Sequence, residues 1–200
     1  MKKVLSLVLA LVFALSLCAF GEAGYVAYNH SGKYSLEYPE GWLMIDAKNI
    51  ASLLNDTSVA NNYNVDVSSY TQQILGNDMV MFITPSGNNF NVVSQYIGQR
   101  YSAEDLIDEL VPALLAQYEQ IMPGVEIVVK GDIREAGGKE YAYVVYSWNN
   151  GYNDLIGAQY INCDSGTLYY LTFTFGSSNN IVEYLKTFNM FEHALESFKY

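Results

Sequence analysis

Histidine and cysteine, the side chains most often enlisted as bases, nucleophiles and metal ligands, are scarce in this 200-residue chain: His30, His193, Cys18 and Cys163. A zinc site needs three or four convergent ligands, usually with two at close spacing. His193 and Glu196, three residues apart, could supply two, but no second pair accompanies them, and an exposed helix face accounts for both. No metal and no cofactor is expected. A nucleophilic Cys163 would need a base and an orienting group; standing before Asp164-Ser165-Gly166, it reads as a structural thiol at a strand end. The carboxylate pairs Glu104-Asp105 and Asp108-Glu109 fall in the first turns of a helix, where negative charge suits the helix dipole without any catalytic task. Nucleophile-elbow, phosphate-loop and dinucleotide glycine patterns are absent from the sequence.

Binding chemistry has more material. The segments Asn61-Asn62-Tyr63-Asn64-Val65-Asp66 and Asn149-Asn150-Gly151-Tyr152-Asn153-Asp154 mix amides, carboxylates and tyrosines. Oxygen-rich loops can hold calcium, and amides beside aromatics can hold sugars. Neither segment has EF-hand spacing, and Asn, Asp and Gly are equally what plain turns require. Tyrosine contributes contact area at low entropic cost, and binding residues gather on loops held by a rigid scaffold. Tyr63, Tyr152, Asn153 and Asp154 are therefore expected to line any site, with Trp148 beneath, for a protein, peptide or glycan partner. The alternative places the two loops at opposite ends of a sheet, where they merely turn the chain. Tyrosine is also abundant in the strands, 18 of 200 residues overall. With both faces of the sheet covered these are core residues; with one face open they form an aromatic platform.

Charge narrows the partners. The formal net charge is −11, and such a surface repels phosphate backbones, which excludes nucleic acid. Met1-Lys2-Lys3, the apolar stretch Val4–Phe20 and Gly21 follow the order of a secretory signal, with the cut expected after Gly21. Removing Lys2 and Lys3 leaves 8 basic against 21 acidic residues, a net charge of −13. Leu15-Ser16-Leu17-Cys18 resembles a bacterial lipobox, although Leu17 stands where a small residue is usual. Lipidated at Cys18, the protein would gain membrane affinity; otherwise no membrane contact is expected. Either way no cysteine pair remains for an intrachain disulfide.

The elements that must position these residues follow from periodicity. Residues 22–32 read as a leader and 33–200 as one domain. Tyr34–Tyr38 and Trp42–Ile45 read as two strands around the Pro39-Glu40-Gly41 turn. Two short helices fit residues 47–76. Met79–Ile83 is a buried strand with a hairpin partner at Asn91–Ile97. Ser102 with Asp105 makes a capping-box-like start to a long helix ending at Pro123-Gly124, which Pro112 should bend. Four strands follow, at Val125–Arg134, Glu140–Trp148, Ile156–Cys163 and Thr167–Phe175, joined by turns short enough to force antiparallel pairing. A helix from about Asn180 to Phe198 closes an α+β layer fold.

The block Tyr34-Ser35-Leu36-Glu37-Tyr38-Pro39-Glu40-Gly41-Trp42, soon after an export signal, resembles the opening of PsbP-like domains, and Leu195-Glu196-Ser197-Phe198 is similar to their closing helix. That superfamily includes the extrinsic PsbP proteins of photosystem II, a Ran-binding nuclear import factor and bacterial DcrB-like lipoproteins. The resemblance, over roughly residues 30–200, implies an α-β-α sandwich around an antiparallel sheet and mostly non-enzymatic binding or assembly roles. No functional residue of those members maps onto a matching motif here. The expectation is an exported, non-catalytic binding or assembly module of the cell envelope. The rivals are a hydrolase using carboxylates such as Asp154 and Asp164, and a structural envelope protein without ligand.

Overall fold

The structure is a computed structural model that describes residues 24–63, 65–176 and 181–200. The export segment with Cys18, and Asn64, lie outside the described residues. The chain divides into two compact units.

The smaller unit is a hairpin with the C-terminal helix. Strand β1 (Tyr25–His30) pairs antiparallel with β2 (Tyr34–Pro39) through the register Tyr25↔Pro39 to His30↔Tyr34. Their Ser31-Gly32 connection has positive φ at both residues (52° and 78°), the geometry whose twist matches flanking strands. This corrects two expectations. Residues 25–30 of the supposed leader are a strand, and β2 pairs with it rather than with residues 42–45. Three residues, Ser31, Gly32 and Lys33, separate β1 from β2, and the Lys33 N–H donates to the His30 carbonyl at 2.9 Å; that local closure outcompetes the Pro39-Glu40-Gly41 turn.

The last helix of the chain, Ile181–Ser197, belongs to this unit. The Tyr34 and Phe198 rings lie 5.4 Å apart, and the Glu37 N–H donates to Ser197 Oγ at 2.9 Å. His193 Nε2 lies 2.8 Å from Glu37 Oε2 while its ring stacks on Tyr25 at 3.7 Å. Ser35 and Lys199 exchange backbone hydrogen bonds of 2.7 and 2.8 Å, which fixes the chain end.

The larger unit is a seven-stranded antiparallel sheet. Its strands are β3 (Leu43–Ile45), β4 (Met79–Ile83), β5 (Asn89–Tyr96), β6 (Glu126–Ala136), β7 (Lys139–Asn149), β8 (Asp154–Asp164) and β9 (Thr167–Gly176), in the order β3-β4-β5-β9-β8-β7-β6. All five residues of β4 are buried, as a strand without a solvent face requires. One of its faces stacks Phe82 on Phe90 and Phe90 on Phe173 at 5.4 and 4.7 Å. The other packs Met79, Met81 and Ile83 against Ile45, Ile50, Val59, Val67 and Ile74. The last four of these are carried by α1 (Ile50–Leu53), α2 (Thr57–Tyr63), the 3₁₀ turn Val67–Tyr70 and α3 (Thr71–Gly76). Residues 47–76 thus hold more and shorter helical pieces than the two expected. Trp42, just before β3, is 8 % exposed and so belongs to the core.

The composite helix α4 covers the same face further along: an α-turn Ala103–Asp105, a π-turn Leu106–Leu110 and a regular helix Val111–Ile121. Ser102 and Asp105 form the capping box at its start. Pro112 has no N–H to give, and the widened π-turn ends just before it, so the break falls in hydrogen-bond register at residues 106–110. Strand β6 bulges at Ile127/Val129 and Lys130/Asp132. Between the second pair Gly131 takes φ +107°, and a Cβ there would meet Ile107 and Val111 side chains at 3.3 Å. Only glycine lets the edge strand approach the π-turn so closely. The C-terminal helix of the smaller unit is α5.

Candidate functional site

Chain geometry separates the residues singled out above. Tyr63, at the end of α2, donates its hydroxyl to the Gly41 carbonyl at 2.9 Å. Leu43, two residues on, begins a row that crosses the sheet through Ile83, Asn89, Thr174 and Gly157 to Tyr146. That row spans five strand spacings of about 4.8 Å, roughly 24 Å. Trp148, Tyr152, Asn153 and Asp154 lie at its far side, in the β7–β8 hairpin. The structure brings these four together and leaves Tyr63 apart, so the two loops do not make one site.

Within the hairpin the polar groups mostly serve the turn. The Asn149 amide donates to Asp154 Oδ1 at 2.7 Å, and Asn149 Oδ1 accepts from the Gly151 N–H at 2.8 Å. Asn150 Oδ1 accepts from the N–H groups of both Tyr152 and Asn153, at 2.9 and 2.8 Å. Such side-chain-to-backbone bonds lock a turn without any ligand. Tyr152 is left projecting, 92 % exposed, from a stiff base. Trp148 stands under the turn; its indole N–H donates to the Pro123 carbonyl at 3.2 Å and its ring packs with the Val111, Tyr118, Met122, Val144 and Tyr146 cluster. Asp154 and Asp164 are the two ends of β8, ten residues and roughly 33 Å apart at about 3.3 Å per residue. A glycosidase pair needs about 5–10 Å, so that arrangement of carboxylates does not form.

Several of the strand tyrosines are core, while Tyr143 and Tyr170 are half-buried and Tyr96 is exposed. Tyr141, Tyr146, Tyr160 and Tyr169 are buried, Tyr141 completely. Burial pushes the Tyr118 and Tyr141 phenols well above their usual range, so both are neutral hydroxyls. Tyr118 uses its hydroxyl to donate to Gln159 Oε1 at 2.9 Å, and Gln159 Nε2 donates to Thr172 Oγ1 at 2.8 Å. This chain links α4 to the middle of the sheet. Gly157 is required beside it, since a Cβ there would fall 2.0 Å from the Tyr146 ring.

At the opposite end of the sheet lies a cleft of about 320 Å³, whose lining no single sequence motif marks. The segment 97–101 leaves β5 and is pinned by the Ile97 and Gly98 N–H groups, both donating to the Gly166 carbonyl at 2.8 and 3.0 Å. The Cys163 thiol holds it again by donating to the Gln99 carbonyl at 3.4 Å. The cleft opens between this segment, β9 and the π-turn of α4. The sequence signal for it was Gln95-Tyr96-Ile97-Gly98-Gln99-Arg100-Tyr101, another mixture of amides and aromatics. It resembled a connector because it joins a strand to a capped helix. Among the described residues no group of three or more His, Cys, Asp and Glu side chains converges as a metal site, and no helix is long and apolar enough to cross a membrane.

Residues 23–200 match the PsbP family. Among solved structures, the cyanobacterial PsbP (CyanoP) of Synechocystis sp. PCC 6803 is 18 % identical, with 91 % of this chain and 96 % of that one covered at a TM-score of 0.52. The Ran-binding protein Mog1p of Saccharomyces cerevisiae is 10 % identical, with 89 % and 96 % covered at a TM-score of 0.51. At such identities the likeness is one of fold. No curated protein matches the sequence significantly.

Proposed function

This chain belongs to the PsbP family, and from that premise we propose that it is an exported, non-catalytic binding or assembly protein of the bacterial cell envelope. Export rests on the Lys2-Lys3, Val4–Phe20 and Gly21 sequence. A fold does not specify a function, so recognition has to rest on a surface. The observation that carries it is Tyr152, an almost fully exposed aromatic on a turn that Asn149 and Asn150 hold rigid. An aromatic projecting from a stiff polar turn is the form of a recognition anchor, because the backbone is already ordered and tyrosine has only two side-chain angles to fix on binding. Asn153 and Asp154 follow Tyr152 in the same turn and offer polar contacts, and Trp148 stands under the turn. The partner is a protein, peptide or glycan outside the cytoplasm. Lipidation at Cys18 would add membrane attachment; cleavage after Gly21 would leave the protein unattached.

Mass spectrometry of the mature N-terminus decides between those two ends, and an intact Met1 in the cytoplasmic fraction would contradict export. Recovery of partners from envelope extracts by wild type, but not by Tyr152→Ala, is the outcome expected of the hairpin. Turnover of an ester, peptide or glycoside that disappears on changing one polar side chain would contradict the non-catalytic reading.

A further inference from the structure

The cleft at the other end of the sheet has its own chemistry. Its floor is apolar: Leu106 and Leu168 are buried and Leu110 is half-buried. Around that floor stand the amides of Gln95 and Gln99, the phenols of Tyr101 and Tyr170, and the carboxylate of Glu109. None of these five side chains makes a hydrogen bond or ion pair with another described residue. Burial raises the Tyr170 phenol above its usual range, so the hydroxyl is neutral. No lysine or arginine lines the cleft; Arg100 is exposed beside it.

We propose that this cleft is a binding site for an organic cation on an aliphatic stem, an alkylammonium or guanidinium group carried by a free amine or by a lysine or arginine side chain. The stem lies on Leu106, Leu110 and Leu168, which removes apolar surface from water. The cationic head meets the Glu109 carboxylate, the carbonyl oxygens of Gln95 and Gln99, and the faces of the two tyrosine rings, where a cation is attracted by the ring quadrupole. The volume falls at the lower end of the range of small-molecule sites, and an apolar lining with a few convergent polar groups is their usual form. The net charge of −11 favours the approach of cations over anions. The π-turn contributes directly. It places Leu106, Glu109 and Leu110 along one side of the cleft, and such turns recur at functional sites. The site does not depend on the hairpin: Leu168 lies eight positions along β9 from Gly176, which pairs beside the β7–β8 turn, a distance of about 27 Å.

The test is a titration of ¹⁵N-labelled protein with 1,5-diaminopentane and, separately, with end-capped Ala-Lys-Ala, followed by amide chemical shifts. Saturable shifts of the Gln95 and Gln99 side-chain amides and the Tyr101 backbone amide are expected with at least one probe. The diamine alone identifies small amines as the source, and the peptide alone identifies polypeptide. Glu109→Gln should weaken that binding about tenfold, as loss of a charge-assisted contact predicts. Tyr152→Ala should leave it unchanged, so failure of the hairpin reading and failure of this one are separable. The proposal is overturned if neither probe shifts those amides, if 1-pentanol or glutarate shifts them equally, or if Glu109→Gln binds as wild type does.

Discussion

The β7–β8 turn and the cleft beside α4 are built from the same residue types, amides and tyrosines, yet they offer opposite things to a partner. In the turn, Asn149 and Asn150 are consumed by backbone N–H groups and by Asp154. What remains is convex, one tyrosine on a pedestal. In the cleft, Gln95, Gln99, Tyr101, Glu109 and Tyr170 keep their polar atoms free for a visitor and surround a concave apolar floor. Composition is alike in both, but only the turn is marked by it as a candidate site. Whether the polar atoms are available is decided by short-range backbone geometry, and that is a property of the fold.

Variants that attack one region and spare the other sharpen this contrast. The largest effect is expected where the cleft wall is built. Gly131→Ala forces a side chain into φ +107° and against Ile107 and Val111. It should cost about 2–3 kcal/mol in urea unfolding, and it should disturb amide shifts along the π-turn while the β7–β8 turn stays as it was. Asn150→Ala removes the acceptor for two turn N–H groups. It should cost about 1–2 kcal/mol by thermal unfolding, whereas the same truncation of Gln99 should stay within about 0.5 kcal/mol. Equal costs at Asn150 and Gln99 would break the contrast.

A pH dependence tests the cap that starts α4. Hydrogen bonds from the Ser102 N–H and hydroxyl hold the Asp105 carboxyl below its usual value. A depressed folded value means that its stabilisation is present above the unfolded carboxylate range and is lost as pH falls through the folded value. The difference in Tm between wild type and Asp105→Ala should therefore hold from pH 7 to 5 and shrink below about pH 4. A difference that grew on acidification would contradict the cap. The smallest effect on stability is expected at Tyr152→Ala, within about 0.5 kcal/mol, because the ring touches little of its own protein.

Much of the fold could be read from local pattern. The alternation in residues 125–175 and the short turns between its strands define β6 to β9 to within two residues of where they lie. Ser102 and Asp105 carry their cap in their spacing. What failed did so where two local rules compete. Pro39-Glu40-Gly41 is a good turn, but Ser31-Gly32 takes the paired positive φ angles whose twist suits a hairpin, so Tyr25–His30 and not Trp42–Ile45 became the partner of β2. Pro112 signals a lost hydrogen bond without saying that a π-turn will absorb it. The hairpin residues Trp148, Tyr152, Asn153 and Asp154 were found together because they are adjacent in sequence. Tyr63 was grouped with them on composition alone, and the order β3-β4-β5-β9-β8-β7 sets it five strands away. The cleft was missed because its lining comes from three separated segments that only the sheet register brings together.

Recognition through the exposed tyrosine of the β7–β8 turn is best probed by site-specific photo-crosslinking in cells. A photoreactive phenylalanine analogue is placed at position 152 and, as a control, at Leu75, another exposed hydrophobic residue. A discrete adduct at position 152 that is absent at position 75 is the result expected. The same adducts at both positions, or none at position 152, would contradict it.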